Sequence, residues 1–74
     1  MTIIILPQEM ANRVRSGYIA AVDIIKYLVR EQGFSKPAGK SFEEINLSML
    51  KRGGYKIQSA KFDIVAGTMH LELT

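Results

Sequence analysis

The segment GFSKPAGKS, Gly33 to Ser41, places glycines, a lysine and a hydroxyl residue in the order used by phosphate-binding loops. Such loops have four residues between the first glycine and the Gly-Lys-Ser/Thr group. Here five residues separate Gly33 from Gly39, and Pro37 lacks one of the backbone amides that would surround a phosphate. The pattern before the segment is helical, whereas the loop requires a buried strand. We therefore interpret the segment as a linker and expect no bound nucleotide.

His70 and Asp63 are the residues best suited to acid–base chemistry, with Thr68 or Ser59 as a nearby hydroxyl. Catalysis requires a nucleophile within reach of the base and a cleft around both. The hairpin predicted below puts these side chains on the exposed face of an open sheet, where a cross-strand polar pair is the expected role. One histidine and no cysteine also make a poor set of metal ligands. The sequence predicts no catalytic residue, no metal site and no cofactor.

The stretch from Lys51 to Lys61 is the part of the chain in which four basic side chains follow one another without a carboxylate. Its first part, KRGGYK, mixes cations with an aromatic residue, as nucleic-acid contacts do. A helix C-terminus followed by a strand explains the same residues without a ligand. The net charge of +3 is compatible with nucleic acid and does not require it. The candidate nucleic-acid contacts are Lys51, Arg52, Tyr55, Lys56 and Lys61, together with Lys36 and Lys40.

An apolar segment, TIIIL, opens the chain and is predicted to form a short strand that ends at Pro7. If Ile3 and Ile5 face the helices, then Ile4 and Leu6 lie on the uncovered side of the sheet. If the strand is at an edge, its unpaired amides are available to another strand. Ile4 and Leu6 are therefore the candidate residues for a protein interface, with a second protein or a second copy of this chain as partner.

Residues 8–32 show helical periodicity, because apolar residues recur at spacings of three and four. Ser16 and Gly17 leave two alternatives, one helix or two, since glycine within a helix costs roughly 1 kcal/mol relative to alanine. Gly33 is the expected C-terminal stop.

Residues 41–52 are predicted to form a further helix. Ser41 and Glu44 have the spacing of a capping box, and Gly53-Gly54 follow as a stop. The alternation of Ile45, Leu47 and Met49 would also suit a strand.

The C-terminal segment, SAKFDIVAGTMHLELT, is predicted to be a β-hairpin with Ala66-Gly67 at its tip. One face then collects Ala60, Phe62, Ile64, Met69, Leu71 and Leu73. The other face pairs Val65 with Thr68, Asp63 with His70, Lys61 with Glu72, and Ser59 with Thr74. The parity of Tyr55 and Ile57 differs from that of the apolar face, which predicts a bulge near Gln58-Ser59.

The 74 residues are predicted to form one small α+β domain, residues 1–74. Its expected order is β-α-(α)-α-β-β, with a three-stranded sheet, a C-terminal hairpin and helices on one face. Hydrophobic residues at 47% and charged residues at 23% are typical of a folded chain. The longest apolar run is far below the ~20 residues that span a membrane, so we expect a soluble, cytoplasmic protein with no membrane partner.

The favoured function is that of a non-enzymatic binding module acting by protein–protein contact, such as an inhibitor, an antitoxin-like protein or a regulatory accessory factor. It is expected to act alone or as a homodimer. The alternative is a nucleic-acid-binding protein of winged-helix-like topology, because three helices followed by a hairpin is also the order of that fold. Two glutamates near the start of the would-be recognition helix, Glu43 and Glu44, count against this alternative.

Overall fold

The computed structural model describes all 74 residues. It contains four strands and two α-helices. The elements are β1 (Thr2–Ile5), α1 (Gln8–Ser16), α2 (Ala21–Glu31), two 3-10 turns (Phe42–Glu44 and Leu47–Met49), β2 (Lys51–Arg52), β3 (Tyr55–Asp63) and β4 (Thr68–Leu73). The strands form one antiparallel sheet in the order β1-β4-β3-β2. The α+β class is confirmed, and the sheet has one strand more than predicted.

Residues 8–32 form two helices because Gly17 ends the first. Gly17 has a left-handed backbone with φ of 78°. Its N–H donates to the carbonyl of Val14, and the N–H of Tyr18 donates to the carbonyl of Arg13. These two bonds are the Schellman arrangement, which satisfies carbonyls that a helix end leaves free. The two-helix alternative is therefore correct.

The helix predicted for residues 41–52 is wrong. Ser41 Oγ does lie 3.1 Å from Glu44 Oε1, but the backbone turns extended at Ile45, where φ is −117° and ψ is 162°. Packing explains the outcome: Ile45 and Leu50 are both buried in the core, and they are five residues apart. In an α-helix that spacing would point them about 140° apart. Two short 3-10 turns joined by extended residues let both side chains reach the core.

The glycine pair Gly53-Gly54 is the turn of a β-hairpin and not a helix stop. Both residues have positive φ, 59° and 85°, and Arg52 and Tyr55 are Cα partners on either side. Two consecutive positive φ angles are the requirement of the type I′ turn, for which Gly-Gly is well suited. Residues 51–52 thus become strand β2. With no third helix, the chain lacks the recognition helix of the winged-helix-like topology.

The C-terminal hairpin is present, but its predicted register is wrong by two residues. The structure pairs Asp63 with Thr68, and Lys61 with His70. A shift of two leaves the same residues on each face, so Ala60 and Phe62 still point toward the core side. None of the predicted cross-strand pairs forms: neither Val65 with Thr68, Asp63 with His70, Lys61 with Glu72, nor Ser59 with Thr74.

The carboxylate of Asp63 explains why the turn is longer than the predicted two residues. Asp63 Oδ1 accepts the N–H groups of Val65 and Ala66 at 3.1 and 3.0 Å, and the N–H of Gly67 donates to the Asp63 carbonyl at 2.8 Å. An aspartate that bonds to the next amides favours a turn over continued strand. Ile64, predicted to be in the core, therefore lies in this turn and is exposed. The predicted bulge is confirmed, since the register shifts between Ile57 and Ser59.

Strand β1 lies at the edge of the sheet, and its faces are the reverse of those predicted. Ile4 and Leu6 are buried, at 3% and 6% exposure, whereas Ile3 and Ile5 are 58% and 75% exposed. Ile4 is the Cα partner of Met69, which is fully buried beneath the helices. Ile4 and Leu6 therefore lie in the core and not on an uncovered surface.

The core is one cluster that joins the inner face of the sheet to the helices and the 3-10 turns. It consists of Ile4, Leu6, Ala11, Ile24, Ile25, Leu28, Phe34, Ile45, Leu50, Ile57, Met69 and Leu71. The other face of the sheet carries no helix, and we call it the outer face. Neither α-helix has the length and apolar character needed to cross a membrane.

Candidate functional site

The open edge of β1 is the most distinctive surface of the protein. Leu6 donates its N–H to the Gly67 carbonyl, which makes Leu6 and Gly67 a hydrogen-bonded pair. In an antiparallel ladder such pairs alternate, so Thr2 and Ile4 also bond to β4. The N–H and C=O groups of Ile3 and Ile5 then point away from the sheet. We call these groups and their two isoleucine side chains the β1 edge.

Part of the β1 edge is held by α2. The hydroxyl of Tyr27 donates to the Ile5 carbonyl at 3.2 Å, and Gln32 Nε2 donates to that hydroxyl at 2.9 Å. A carbonyl has two lone pairs, so the Ile5 carbonyl keeps one acceptor position. The contact fixes the strand against the helix while the N–H groups of Ile3 and Ile5 stay directed outward.

The opposite edge of the sheet is covered only at β2. Strand β2 pairs with Tyr55 and Lys56 alone, so residues 57–63 of β3 have no strand beside them on that side. Ser35 forms an isolated bridge to Lys51, with bonds of 2.7 and 3.1 Å between their backbone N–H and C=O groups. Ser35 belongs to the segment resembling a phosphate-binding loop. Gly33 and Gly39 turn the chain on either side of the bridge, with φ of 75° and 78°. The segment thus connects α2 to the sheet and pairs with the edge of β2.

The basic candidate residues divide between the two faces of the sheet. Lys51 and Lys56 are Cα partners on the outer face, and Lys61, the partner of His70, shares that face. Arg52 and Tyr55 are also partners, but alternation puts them on the opposite face. There the Arg52 guanidinium lies 4.7 Å from the Phe34 ring centre.

The two remaining candidate cations, Lys36 and Lys40, lie in the linker, where Lys36 Nζ donates to the Lys40 carbonyl at 2.5 Å. Three of the seven candidates, Lys51, Lys56 and Lys61, share one face of the sheet.

His70 and Asp63 are not paired. His70 Nε2 lies 3.1 Å from Thr68 Oγ1, which is two residues away on the same strand face. Asp63 uses its carboxylate on the backbone of the turn. The imidazole and the carboxylate thus have separate partners, and the expected cross-strand contact is absent. No group of three or more His, Asp or Glu side chains has the proximity needed to hold a metal ion.

Arg15 anchors the tip of the C-terminal hairpin to α1, a role that the sequence did not predict. Its Nε donates to the Ile64 carbonyl at 2.6 Å, and its Nη2 to the Val65 carbonyl at 3.5 Å. These bonds tie the tip of the hairpin to α1 across 49 residues of sequence. The helical pattern marks Arg15 as an exposed cation, and no local signal indicates its partner.

A groove of about 370 Å³ lies between α1 and α2. Charged residues of both signs line it, and Arg13 bridges two of them, at 3.3 Å from Glu9 and 3.9 Å from Asp23. Because these charges neutralise one another, the groove favours neither anions nor cations.

Comparison of this chain with family models, with curated proteins and with solved structures yields no match.

Proposed function

We propose that this protein is a non-enzymatic binding module that acts by protein–protein contact through the β1 edge, and that it pairs there with a second copy of itself. An exposed edge strand with free backbone groups and apolar side chains is a template for another strand. The β1 edge has both features. On the opposite side of the sheet Ser35 covers β2, and the unpaired stretch of β3 carries Lys61, a charge that opposes pairing. The observation that carries the proposal is the outward direction of Ile3 and Ile5 at the open edge.

An antiparallel pair centred on Ile4 satisfies the free groups of both copies. Ile3 of one copy then lies opposite Ile5 of the other, and their N–H and C=O groups exchange hydrogen bonds in both directions. In this register Ile3 and Ile5 of both copies, four side chains in all, lie side by side on the outer face. Cross-strand pairs of β-branched residues contribute roughly 0.2–1 kcal/mol each. A second copy therefore supplies hydrogen bonds and apolar contacts from one short strand.

The proposed pairing is weak, because association costs at least about 4 kcal/mol before any contact contributes. We expect the molar mass of the full chain to rise from monomer toward dimer between about 10 µM and about 1 mM. Sedimentation velocity or light scattering after gel filtration measures it directly.

Two lysine substitutions test the surface, Ile3→Lys and Ile5→Lys, since charges on an edge strand oppose pairing. Both variants should stay monomeric with an unchanged fold, because both side chains are exposed. Val65→Lys is the matched control: it adds the same charge at an apolar residue that is 89% exposed and lies in the hairpin turn. The control should dimerise like the original chain. If the original chain is monomeric at every concentration, the pairing is refuted.

A regulatory role, as an inhibitor, an antitoxin-like protein or an accessory factor, is part of this proposal, because such proteins act by covering a partner's surface. We also place the module in the cytoplasm, since a chain without cysteine needs no oxidising compartment for its fold.

Nucleic-acid binding is the second candidate function, supported by the shared outer face of Lys51, Lys56 and Lys61. In an oligonucleotide titration, amide shifts confined to these three lysines would support it.

A further inference from the structure

Three cations surround the ring of Phe42. Lys26 Nζ, Arg30 Cζ and Lys36 Nζ lie 5.9, 5.4 and 5.6 Å from the ring centre. Lys26 and Arg30 are four residues apart on α2 and so share one helix face, while Lys36 comes from the linker and Phe42 from the first 3-10 turn. Two segments of the chain, α2 and the linker, thus bring positive charge to a ring supplied by a third. We call these four residues the Phe42 cluster.

No carboxylate forms an ion pair with the Phe42 cluster. The ion pairs of the protein are those of Arg13 with Glu9 and with Asp23. Glu44 bonds to the Ser41 hydroxyl instead of to a cation. Glu31 and Glu43 are each next to a cluster residue in sequence, yet neither forms an ion pair. The three cations therefore gather around the ring with no carboxylate within ion-pairing distance.

The aromatic ring does not fully account for this arrangement. A cation over a ring face gains about 0.5–1 kcal/mol at an exposed site, and a ring has two faces. The third cation adds repulsion, and Lys26 with Arg30 is already an unfavourable like-charge spacing on a helix. An anion among the three would convert this repulsion into attraction.

Two members of the cluster, Phe42 and Lys36, are held by contacts within the chain. Phe42 packs against the hydrophobic core, which fixes the ring between α2 and the linker. Lys36 Nζ donates to the Lys40 carbonyl, which orients its side chain toward the ring. Because less side-chain freedom is lost on binding, such pre-organised cations bind an anion more tightly than freely moving ones.

We propose that Lys26, Arg30 and Lys36 form a binding site for the phosphate oxygens of a multiply charged anion. A phosphate presents oxygens in several directions, so cations from α2 and from the linker can contact it together. Arginine binds phosphate oxygens through two parallel N–H groups, and lysine supplies a point charge. Three cations favour a ligand with several negative charges. Free polyphosphate and the backbone of a nucleic acid both present several negatively charged phosphate groups. The site is independent of the β1 edge.

Amide NMR titration of the full ¹⁵N-labelled chain with sodium tripolyphosphate tests the site, and a thymidine oligonucleotide forms the second arm. Both arms are run at low and at near-physiological salt. We expect tripolyphosphate to shift the amides around Lys36 and Phe42 and along the Lys26–Arg30 face of α2. If the oligonucleotide shifts the same amides, a nucleic-acid backbone is the source of the phosphates. If only tripolyphosphate does, the ligand is a free polyphosphate.

The variant R30Q/K36Q removes two charges and should bind tripolyphosphate at least about tenfold more weakly, since each lost charged hydrogen bond typically weakens binding by that factor. The control K56Q/K61Q removes the same charge from the outer face and should stay within about twofold of the original affinity. Equal weakening of both variants would show attraction by net charge alone and overturn the site. So would an absence of shifts at low salt, or oligonucleotide shifts confined to Lys51, Lys56 and Lys61.

Discussion

At the scale of single residues, the carboxylate of Asp63 determines where the C-terminal hairpin turns. It accepts two backbone N–H groups inside the turn, and its own carbonyl accepts a third from Gly67. These bonds extend the loop to four residues and move Ile64 and Val65 out of the ladder. One side chain thereby changes every cross-strand partner without changing which residues face the core.

Replacement of Asp63 therefore tests the local cause of the register. Asp63→Ala removes the acceptor of two amides and should lower the free energy of unfolding by about 1 kcal/mol, as for the loss of a helix cap. Asp63→Asn keeps an oxygen in the same place and should lose less than half of that. Urea unfolding of the three chains measures the difference. Equal losses for both variants would mean that the charge matters, and not the acceptor.

Residue types alone could indicate only part of the candidate surfaces. The exposure of Lys56 and Lys61 follows from their alternation with apolar residues along a strand, and it was predictable. The place of Lys51 was not, because the sequence predicted it at the end of a helix that does not form. The Phe42 cluster was not, because Lys26, Arg30 and Lys36 come together only when α2, the linker and a 3-10 turn pack. A helical pattern shows that Lys26 and Arg30 share a face, but it does not show what that face meets.

At the scale of elements, β1 is a strand whose buried face cannot be predicted from its sequence, because its residues are apolar on both faces. Four consecutive apolar residues predict a strand, yet they do not say which alternate residues face the helices. Pairing with β4 makes that choice, because Ile4 lies opposite the buried Met69. The β2 hairpin is a different case. Its signal, Gly53-Gly54 between extended residues, is in the sequence, but it matches a helix stop equally well.

The two faces of β1 can be compared with one substitution made at neighbouring positions. Ile4→Ala deletes a buried side chain and should lower the free energy of unfolding by about 2–4 kcal/mol. Ile3→Ala deletes the same atoms from an exposed position and should cost less than about 1 kcal/mol. Chemical denaturation of dilute protein, where pairing between copies is minor, measures both. A larger loss for Ile3→Ala would mean that β1 packs with the opposite face inward.

At the scale of the whole molecule, two surfaces remain without partners inside the chain. The β1 edge, at Ile3 and Ile5, is open, whereas β2 is covered where Ser35 bridges Lys51. The Phe42 cluster involves α2 and the linker, and it shares no residue with the open edge. Protein contact and anion binding are therefore separable properties, and a variant of one surface should leave the other intact.

Amide hydrogen exchange as a function of protein concentration is the most direct test of pairing at the β1 edge. The amide of Ile4 bonds to β4 and should be protected at every concentration. The amides of Ile3 and Ile5 point outward, so they should exchange fast in dilute protein. They should slow by at least about fivefold when most of the protein is dimeric, because the second copy then accepts their hydrogen bonds. Fast exchange of Ile3 and Ile5 at all concentrations, beside a protected Ile4, would contradict the account.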